Sequence, residues 1–267
     1  MLKMYSIEGL IPKVPQPNRG YLPISEFKQI KFTDGKYLEE HENLSHLIMS
    51  MAIDRLVSYM ITKDIDEVFS VSLKGARIAD VNGLDGALYD AYNLCDSIRG
   101  LDIESINSAC KLITFNVWVK SFKNASKTVS YKDLNINSAT NFNIKVMVER
   151  TLKFFEEYGP AIANDYDFGK GYTRLVNHGL GDYLTVKSIV DLKILKSNPN
   201  KRHTLRVLLH YVMGKHSEKE IFKGIENICI FNPRLNILYT KPVNELEDDL
   251  IEIIEEDILC YHDDVFI

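Results

Sequence analysis

Residues 179–193 read Gly-Leu-Gly-Asp-Tyr-Leu-Thr-Val-Lys-Ser-Ile-Val-Asp-Leu-Lys, and this stretch decides the fold. Asp182 is followed nine residues later by Asp191, and Lys193 comes two residues after that. In an extended strand alternate side chains share a face, so Asp191 and Lys193 point one way while the branched apolar residues between and around them point toward a core. Unpaired buried charge is costly, and a bound divalent metal would explain charges at this place.

The composition is that of a globular chain with a substantial core. The chain has 267 residues, 45% of them apolar, which suffices for one large domain or two smaller ones. No apolar stretch is long enough for a bilayer, and the first residues lack the apolar run of a secretion signal, so we expect a cytoplasmic protein with no membrane partner. The four cysteines form no Cys-x-x-Cys pair, which argues against a zinc site or a disulfide framework and predicts free thiols.

Charge is distributed unevenly along a chain whose formal net charge is −5. Between Phe168 and Lys223 there are eleven Lys or Arg and four Asp or Glu, whereas Val243 to Ile267 contains ten acids and no Lys or Arg. A basic zone around Asp182 and Asp191 is suited to a polyanion, because phosphate affinity is largely electrostatic. A solvated basic face balanced by a solvated acidic one explains the same pattern.

The first half of the chain is expected to be mainly helical. Four prolines within residues 1–24 predict an extended arm that packs on the surface. Residues 25–140 form the mainly helical region, which ends in a polar linker. Its expected elements are helices over 39–62, 87–98 and 103–125, a short strand or buried segment over 68–73, and the linker over 126–141.

The second half alternates between helical and strand patterns. Residues 141–244 form the expected core. Residues 245–267 form the expected acidic C-terminal segment, whose helix is predicted over 244–259. The core elements are a helix over 142–158, strands over 171–178, 182–185 and 188–195, a helix over 204–213, and strands over 225–231 and 235–240. The fold class is therefore α/β (α+β): helix, three strands, helix, strands, with a mainly helical N-terminal region.

With this element order in place, Gly181-Asp182 and Asp191-Leu192-Lys193 resemble the metal-binding motifs of the PD-(D/E)XK nuclease superfamily, within it most closely the RecB-like and CRISPR-associated exonuclease branch. The resemblance implies a restriction-endonuclease-like core that binds Mg²⁺ or Mn²⁺. Asp182, Asp191 and the backbone carbonyl of Leu192 would be the metal ligands, and Lys193 would orient the attacking water or stabilise the transition state.

The family also has a third acid on the helix before the first strand and a Gln on the helix after the third. Glu149 is the preferred candidate for the acid, ahead of Glu156, since it lies close to the apolar stripe of its helix. Arg206 stands at the Gln position, which is a departure from the family, and either His210 or Tyr211 stands where the family has a Tyr about one turn later.

The basic residues around this site are candidates for binding nucleic acid. Arg206 could grip a phosphate, or it could pair with Glu149 or Asp182 and close the site. The full set of candidates is Arg206, His210, Lys196, Lys201 and Arg202.

The expected function is a metal-dependent deoxyribonuclease in DNA repair, mobile-element biology or phage defence, with DNA as its partner. One alternative is a catalytically inactive nuclease-fold protein that binds DNA or a protein. Another is an interaction protein that docks through its acidic C-terminal helix, and the N-terminal helical region is a candidate surface for self-association or a protein partner. The plainest reading makes Asp182 and Asp191 turn and edge-strand residues, with Lys193 lying along the surface.

Overall fold

The computed structural model describes residues 4–120 and 130–261, which form two compact units. Unit 1 comprises the described residues of Met1–Thr33 and Phe154–Ile267, and unit 2 is drawn from Asp34–Lys153. Unit 1 is thus built from both ends of the chain, with unit 2 inserted between them.

Unit 1 contains a six-stranded mixed sheet and a two-stranded parallel sheet. The strands are β1 (Tyr5–Ser6), β2 (Lys28–Lys31), β3 (Ala163–Tyr166), β4 (Val176–His178), β5 (Gly181–Leu184), β6 (Ser188–Leu192), β7 (Asn227–Asn232) and β8 (Ile237–Pro242). The large sheet has the order β2-β8-β7-β6-β5-β3, and β1 pairs with β4. In the large sheet β6 and β7 are parallel, and every other neighbouring pair is antiparallel.

The connection between the parallel strands β6 and β7 contains the helix Lys201–Lys215, called here the site helix. A helical crossover is the usual way to join two parallel neighbours. Asn200 caps its N-terminus: its side chain accepts from the Arg202 N–H at 2.9 Å, while the His203 ring accepts from the Asn200 N–H at 3.0 Å. Leucines and valines on one side of the helix are fully buried in the core of unit 1.

Both chain ends contribute to the same core. The N-terminal arm forms a short helix, Ile7–Leu10, whose Ile7 and Leu10 are 0% and 6% exposed. The expectation of an extended arm on the surface is therefore wrong for residues 7–13, which form an α-helix and a 3₁₀ turn with Ile7, Leu10 and Ile11 buried in the core. The acidic C-terminal segment forms a 3₁₀ turn at Val243–Glu245, an α-helix at Asp248–Ile253 and a π-helical turn at Ile254–Ile258, and it buries Ile251, Ile254 and Ile258 in the core.

Unit 2 is helical in its described residues. Its helices are His46–Thr62, Ile65–Val68, Ser70–Val81, Ala87–Asp96, Ile103–Ile113, Asn116–Lys120 and the larger part of Ser138–Tyr158, whose last residues belong to unit 1. Gly75 allows two of them to approach closely, since a Cβ there would lie 2.1 Å from the carbonyl oxygen of Phe115.

The mixed α/β class is confirmed, and so are the expected helices within 39–62, 87–98, 142–158 and 204–213. The expected short strand at 68–73 is wrong, because these residues lie in the helices Ile65–Val68 and Ser70–Val81 and in the turn at Phe69 between them. A short apolar run fits either element, and here Val68 and Phe69 are buried while Val71 is exposed.

Several expected boundaries were also displaced. Residues 138–141 of the expected linker begin a helix, and residues 121–129 lie outside the described chain. Strands β2 and β3 were not expected at all, since their sequences lack a clear alternation of apolar and polar residues. Within the described residues, no helix is both long enough and apolar enough to cross a membrane.

Candidate functional site

Two aspartates face each other across adjacent strands of the large sheet. Tyr183 of β5 pairs with Val190 of β6, and this antiparallel register puts their neighbours Asp182 and Asp191 opposite each other on one face. Asp191 is 0% exposed and the Asp182 side chain is 20% exposed. Like charges placed directly opposite repel, so the pair requires cations close by.

Lys193 supplies one of these cations. Its Nζ lies 3.1 Å from Asp182 Oδ2 and 3.3 Å from Asp191 Oδ2, so a single ammonium group touches both carboxylates. The Leu192 N–H also donates to Asp182 Oδ2, at 2.9 Å. The expected shared face of Asp191 and Lys193 is confirmed by these contacts.

Arg206 of the site helix supplies the second cation. Its Nη1 donates to Asp191 Oδ1 in a short contact, and its Nη2 donates to Asp182 Oδ1 at 2.9 Å and to the Leu180 carbonyl at 3.1 Å. The guanidinium therefore bridges the two carboxylates, with its side chain only 11% exposed. This arrangement matches the closed alternative, in which Arg206 pairs with Asp182.

The charges in this cluster compensate each other. Burial opposes ionisation of Asp191, but the adjacent Arg206 and Lys193 outweigh it and hold the pKa of that carboxyl well below its usual value. The same balance lowers the pKa of Asp182. In return the two carboxylates raise the pKa of Arg206 well above its usual value, against the effect of burial. The charges of the two aspartates and of these two cations thus balance each other.

His210 lies one turn after Arg206, directly behind Asp191. Its Nδ1 is 3.3 Å from Asp191 Oδ1, and the ring is 0% exposed. Burial lowers its pKa, and the Arg206 charge adds to this, so the imidazole is neutral near pH 7. Its ring packs beside those of Phe168 and Tyr166, with centroids 5.3 Å and 6.4 Å away. His210 thus closes the inner side of the site and does not face a solvent-exposed groove.

Tyr166 of β3 covers the start of β5. A Cβ at Gly181 would lie 2.0 Å from its Cζ and 2.3 Å from its Oη, so the phenol occupies the space that only glycine leaves open. Burial, together with the charge of Asp191, raises the pKa of Tyr166 well above its usual value. Among the described residues no hydrogen-bond partner is found for Tyr166 Oη, for either His210 nitrogen or for Asp191 Oδ2. Polar atoms without a partner are rare in native interiors, and here they cluster beside the two aspartates.

The donor chemistry of this site fits a hard divalent cation. Carboxylate oxygens are the ligands that Mg²⁺ and Mn²⁺ prefer, and Asp191 Oδ2 lacks a hydrogen bond. All four carboxylate oxygens nevertheless touch Arg206 or Lys193. Over the described ranges no group of three or more His, Cys, Asp or Glu is placed to hold a metal. A cation that binds here must therefore displace Arg206, which occupies one side of both carboxylates.

The remaining candidates lie in different places. Glu149 belongs to unit 2, where its Oε2 is 2.6 Å from Lys36 Nζ. Lys196, Lys201 and Arg202 are exposed residues of unit 1 at and before the start of the site helix. The structure brings together Asp182, Asp191, Lys193, Arg206 and His210.

Sequence reasoning missed Glu8 in the N-terminal arm. Its Oε1 is 3.5 Å from Arg206 Nη2, and its side chain is 55% exposed. The two residues are 198 positions apart, so neither spacing nor periodicity could have paired them. The one available signal was that Glu8 lies between Ile7 and Leu10, two apolar residues of a proline-rich arm.

Comparisons with known proteins add no family to this description. No protein-family model matches the chain, and neither a curated protein nor a solved structure matches it significantly.

Proposed function

We propose that unit 1 is a restriction-endonuclease-like core of the PD-(D/E)XK type and that the protein is a divalent-metal-dependent deoxyribonuclease. The observation that supports this is the convergence of Asp182, Asp191 and Lys193: two opposed carboxylates on neighbouring strands, both touched by one lysine. The helix between two parallel strands, which carries Arg206 onto the same face, supports the same assignment.

Each residue has a defined task in this proposal. Asp182 and Asp191 would hold Mg²⁺ or Mn²⁺, with the Leu192 carbonyl as a further candidate ligand. The bound cation would lower the pKa of a water and offset charge on the scissile phosphate. Lys193 is a fixed cation in a partly dry site and would stabilise the negative charge that develops during hydrolysis.

The residues that surround the two aspartates and Lys193 have supporting tasks. Neutral His210 packs behind Asp191, with its Nδ1 3.3 Å from Asp191 Oδ1, and lines the inner side of the site without adding charge. Arg206, once released from the aspartates, would bind a phosphate through two of its N–H groups. Lys196, Lys201 and Arg202 lie exposed near the N-terminus of the site helix, where cations would attract the DNA backbone.

The experiment is a cleavage assay on the full chain. Linear and plasmid DNA, single- and double-stranded, is incubated with Mg²⁺, Mn²⁺ or EDTA. We expect metal-dependent cleavage that falls at least about a hundredfold in Asp191→Asn, which removes a metal-binding carboxylate, and in Lys193→Ala, which removes a cation that stabilises the transition state. Asp167→Asn is the matched control, since Asp167 is an exposed carboxylate paired with Lys219. Equal cleavage by the wild type and all three variants would show that the cleavage activity does not arise from this site.

One observation favours a second candidate, a nuclease-fold protein that binds DNA without cutting it. Arg206 bridges both carboxylates and together with Lys193 balances their charge, and breaking its contacts with a buried partner costs free energy. This candidate predicts salt-dependent DNA binding in EDTA, no cleavage with any metal and no Mn²⁺ uptake by calorimetry. Metal-dependent cleavage that is lost in Asp191→Asn would exclude it.

A further inference from the structure

Arg206 has more acceptors within reach than the two aspartates. Its Nη2 donates to the Leu180 carbonyl at 3.1 Å and lies 3.5 Å from Glu8 Oε1, on the exposed side of the cluster. Glu8 is thus a third carboxylate at the site, and it contacts Arg206 but is not part of the opposed aspartate pair.

The backbone of Glu8 is fixed even though its carboxylate is exposed. Ile7 and Leu10 on either side are core residues, and the Ser6 hydroxyl caps the short helix by accepting from the Gly9 N–H at 3.0 Å. Ile7 also packs against Gly179, where a Cβ would lie 2.9 Å from its side chain. These contacts hold the Glu8 side chain beside Arg206, although almost two hundred residues separate the two in sequence.

A divalent cation on the aspartates would change the hydrogen-bond acceptors available to Arg206. The guanidinium would lose two anionic partners and gain a repelling charge, while remaining charged itself. Glu8 and the Leu180 carbonyl are the acceptors already in contact that the cation would not take. Glu8 therefore interacts more favourably with Arg206 after metal binding than before it, and such a differential interaction shifts the equilibrium between the two arrangements.

We propose that Glu8 is a positioning residue for Arg206. It accepts the guanidinium when a divalent cation takes Asp182 and Asp191, and it thereby strengthens metal binding without being a ligand. This inference rests on the metal site of the proposed function.

The test is a double-mutant cycle in metal affinity. Mn²⁺ binding to the full chain is measured by calorimetry for the wild type, Glu8→Gln, Arg206→Gln and the double variant, with circular dichroism to show that each is folded. Glu218→Gln and Arg19→Gln are the controls, because Glu218 is exposed and paired with Lys170, and Arg19 is exposed.

We expect Arg206→Gln to bind Mn²⁺ at least about tenfold more tightly, because a competing charged hydrogen-bond donor is removed. Glu8→Gln should bind about fivefold more weakly than the wild type, the ratio that corresponds to a strong exposed ion pair. The double variant should bind like Arg206→Gln, since Glu8 acts only through Arg206. The two controls should bind like the wild type.

Three results would overturn the inference. An unchanged affinity in Glu8→Gln would remove any role for Glu8, and an equal loss of affinity in both backgrounds would make it a direct ligand. Both would leave the proposed metal site intact. Absence of Mn²⁺ uptake by the wild type and by Arg206→Gln would instead overturn the metal site, and this inference with it.

Discussion

Replacement of Arg206 by glutamine should destabilise metal-free unit 1 and leave unit 2 unaffected. The change leaves Asp191, which is 0% exposed, without the guanidinium that bridges it to Asp182. Removing one partner of a buried ion pair costs about 3–5 kcal/mol. Lys193 still contacts both carboxylates, at 3.1 Å and 3.3 Å, and Asp182 retains partial access to solvent. We therefore expect a loss of about 2–3 kcal/mol in the free energy of unfolding of unit 1.

The assay must distinguish the two units. The only tryptophan, Trp118, lies in unit 2, so its fluorescence follows that unit and not the site. Hydrogen exchange followed by mass spectrometry reads peptides of β6 and of the site helix directly. The expected loss corresponds to exchange about 30 to 150 times faster in those peptides, where exchange proceeds through unfolding of unit 1.

Two further measurements complete this prediction. Arg19→Gln removes an exposed arginine and should leave exchange unchanged. Mn²⁺ should restore protection in Arg206→Gln, since a ligand that binds only the folded state stabilises it. The reasoning is refuted if exchange in Arg206→Gln rises less than about threefold, because the bridge would then contribute no more than an exposed ion pair.

Three more predictions follow from the structure. Both site aspartates have folded-state pKa values below the usual 3.8, so their stabilisation of unit 1 is complete above that value and is lost as the pH falls through the lower folded-state values. Hydrogen exchange measured against pH should show this loss of stability, and Asp182→Asn or Asp191→Asn should make the loss smaller. Gly181→Ala should cost about 1–3 kcal/mol in urea unfolding, because its Cβ would overlap the buried Tyr166 ring, whereas Gly100→Ala meets nothing within 4 Å and should cost less than about 1 kcal/mol. Burial raises the pKa of the Cys95 and Cys110 thiols to about 12, so iodoacetamide at pH 8 should label them only after denaturation, as read by mass spectrometry.

Much of the element order could be predicted from local patterns, and particular segments show where this failed. The helix Ser138–Tyr158 and the site helix have apolar residues at helical spacing over several turns, which few other structures explain. The strand predicted over 68–73 was wrong because a short apolar run fits a buried strand and a helix equally well. The prediction for the N-terminal arm was wrong because apolar residues dispersed among prolines indicate little until the core that receives them is known.

The candidate site also has some features that local patterns predict and others that depend on tertiary packing. Asp191 and Lys193 were expected on one face because strand alternation is a local property, and their shared contacts bear this out. The burial of His210 behind Asp191 and the pairing of Glu149 with Lys36 depend on packing that no spacing along the chain encodes.

The sequence by itself determined which residues could meet where β5 begins and β6 ends, since the period of a strand and the length of a turn are set by neighbouring residues. Only the tertiary structure decided the state of the site. The register of β5 against β6 brings two like charges together, and the packing of the site helix inserts Arg206 between them. Electrostatic energy depends on distance in space and on burial, so residues 198 positions apart, such as Glu8 and Arg206, can interact as directly as neighbours.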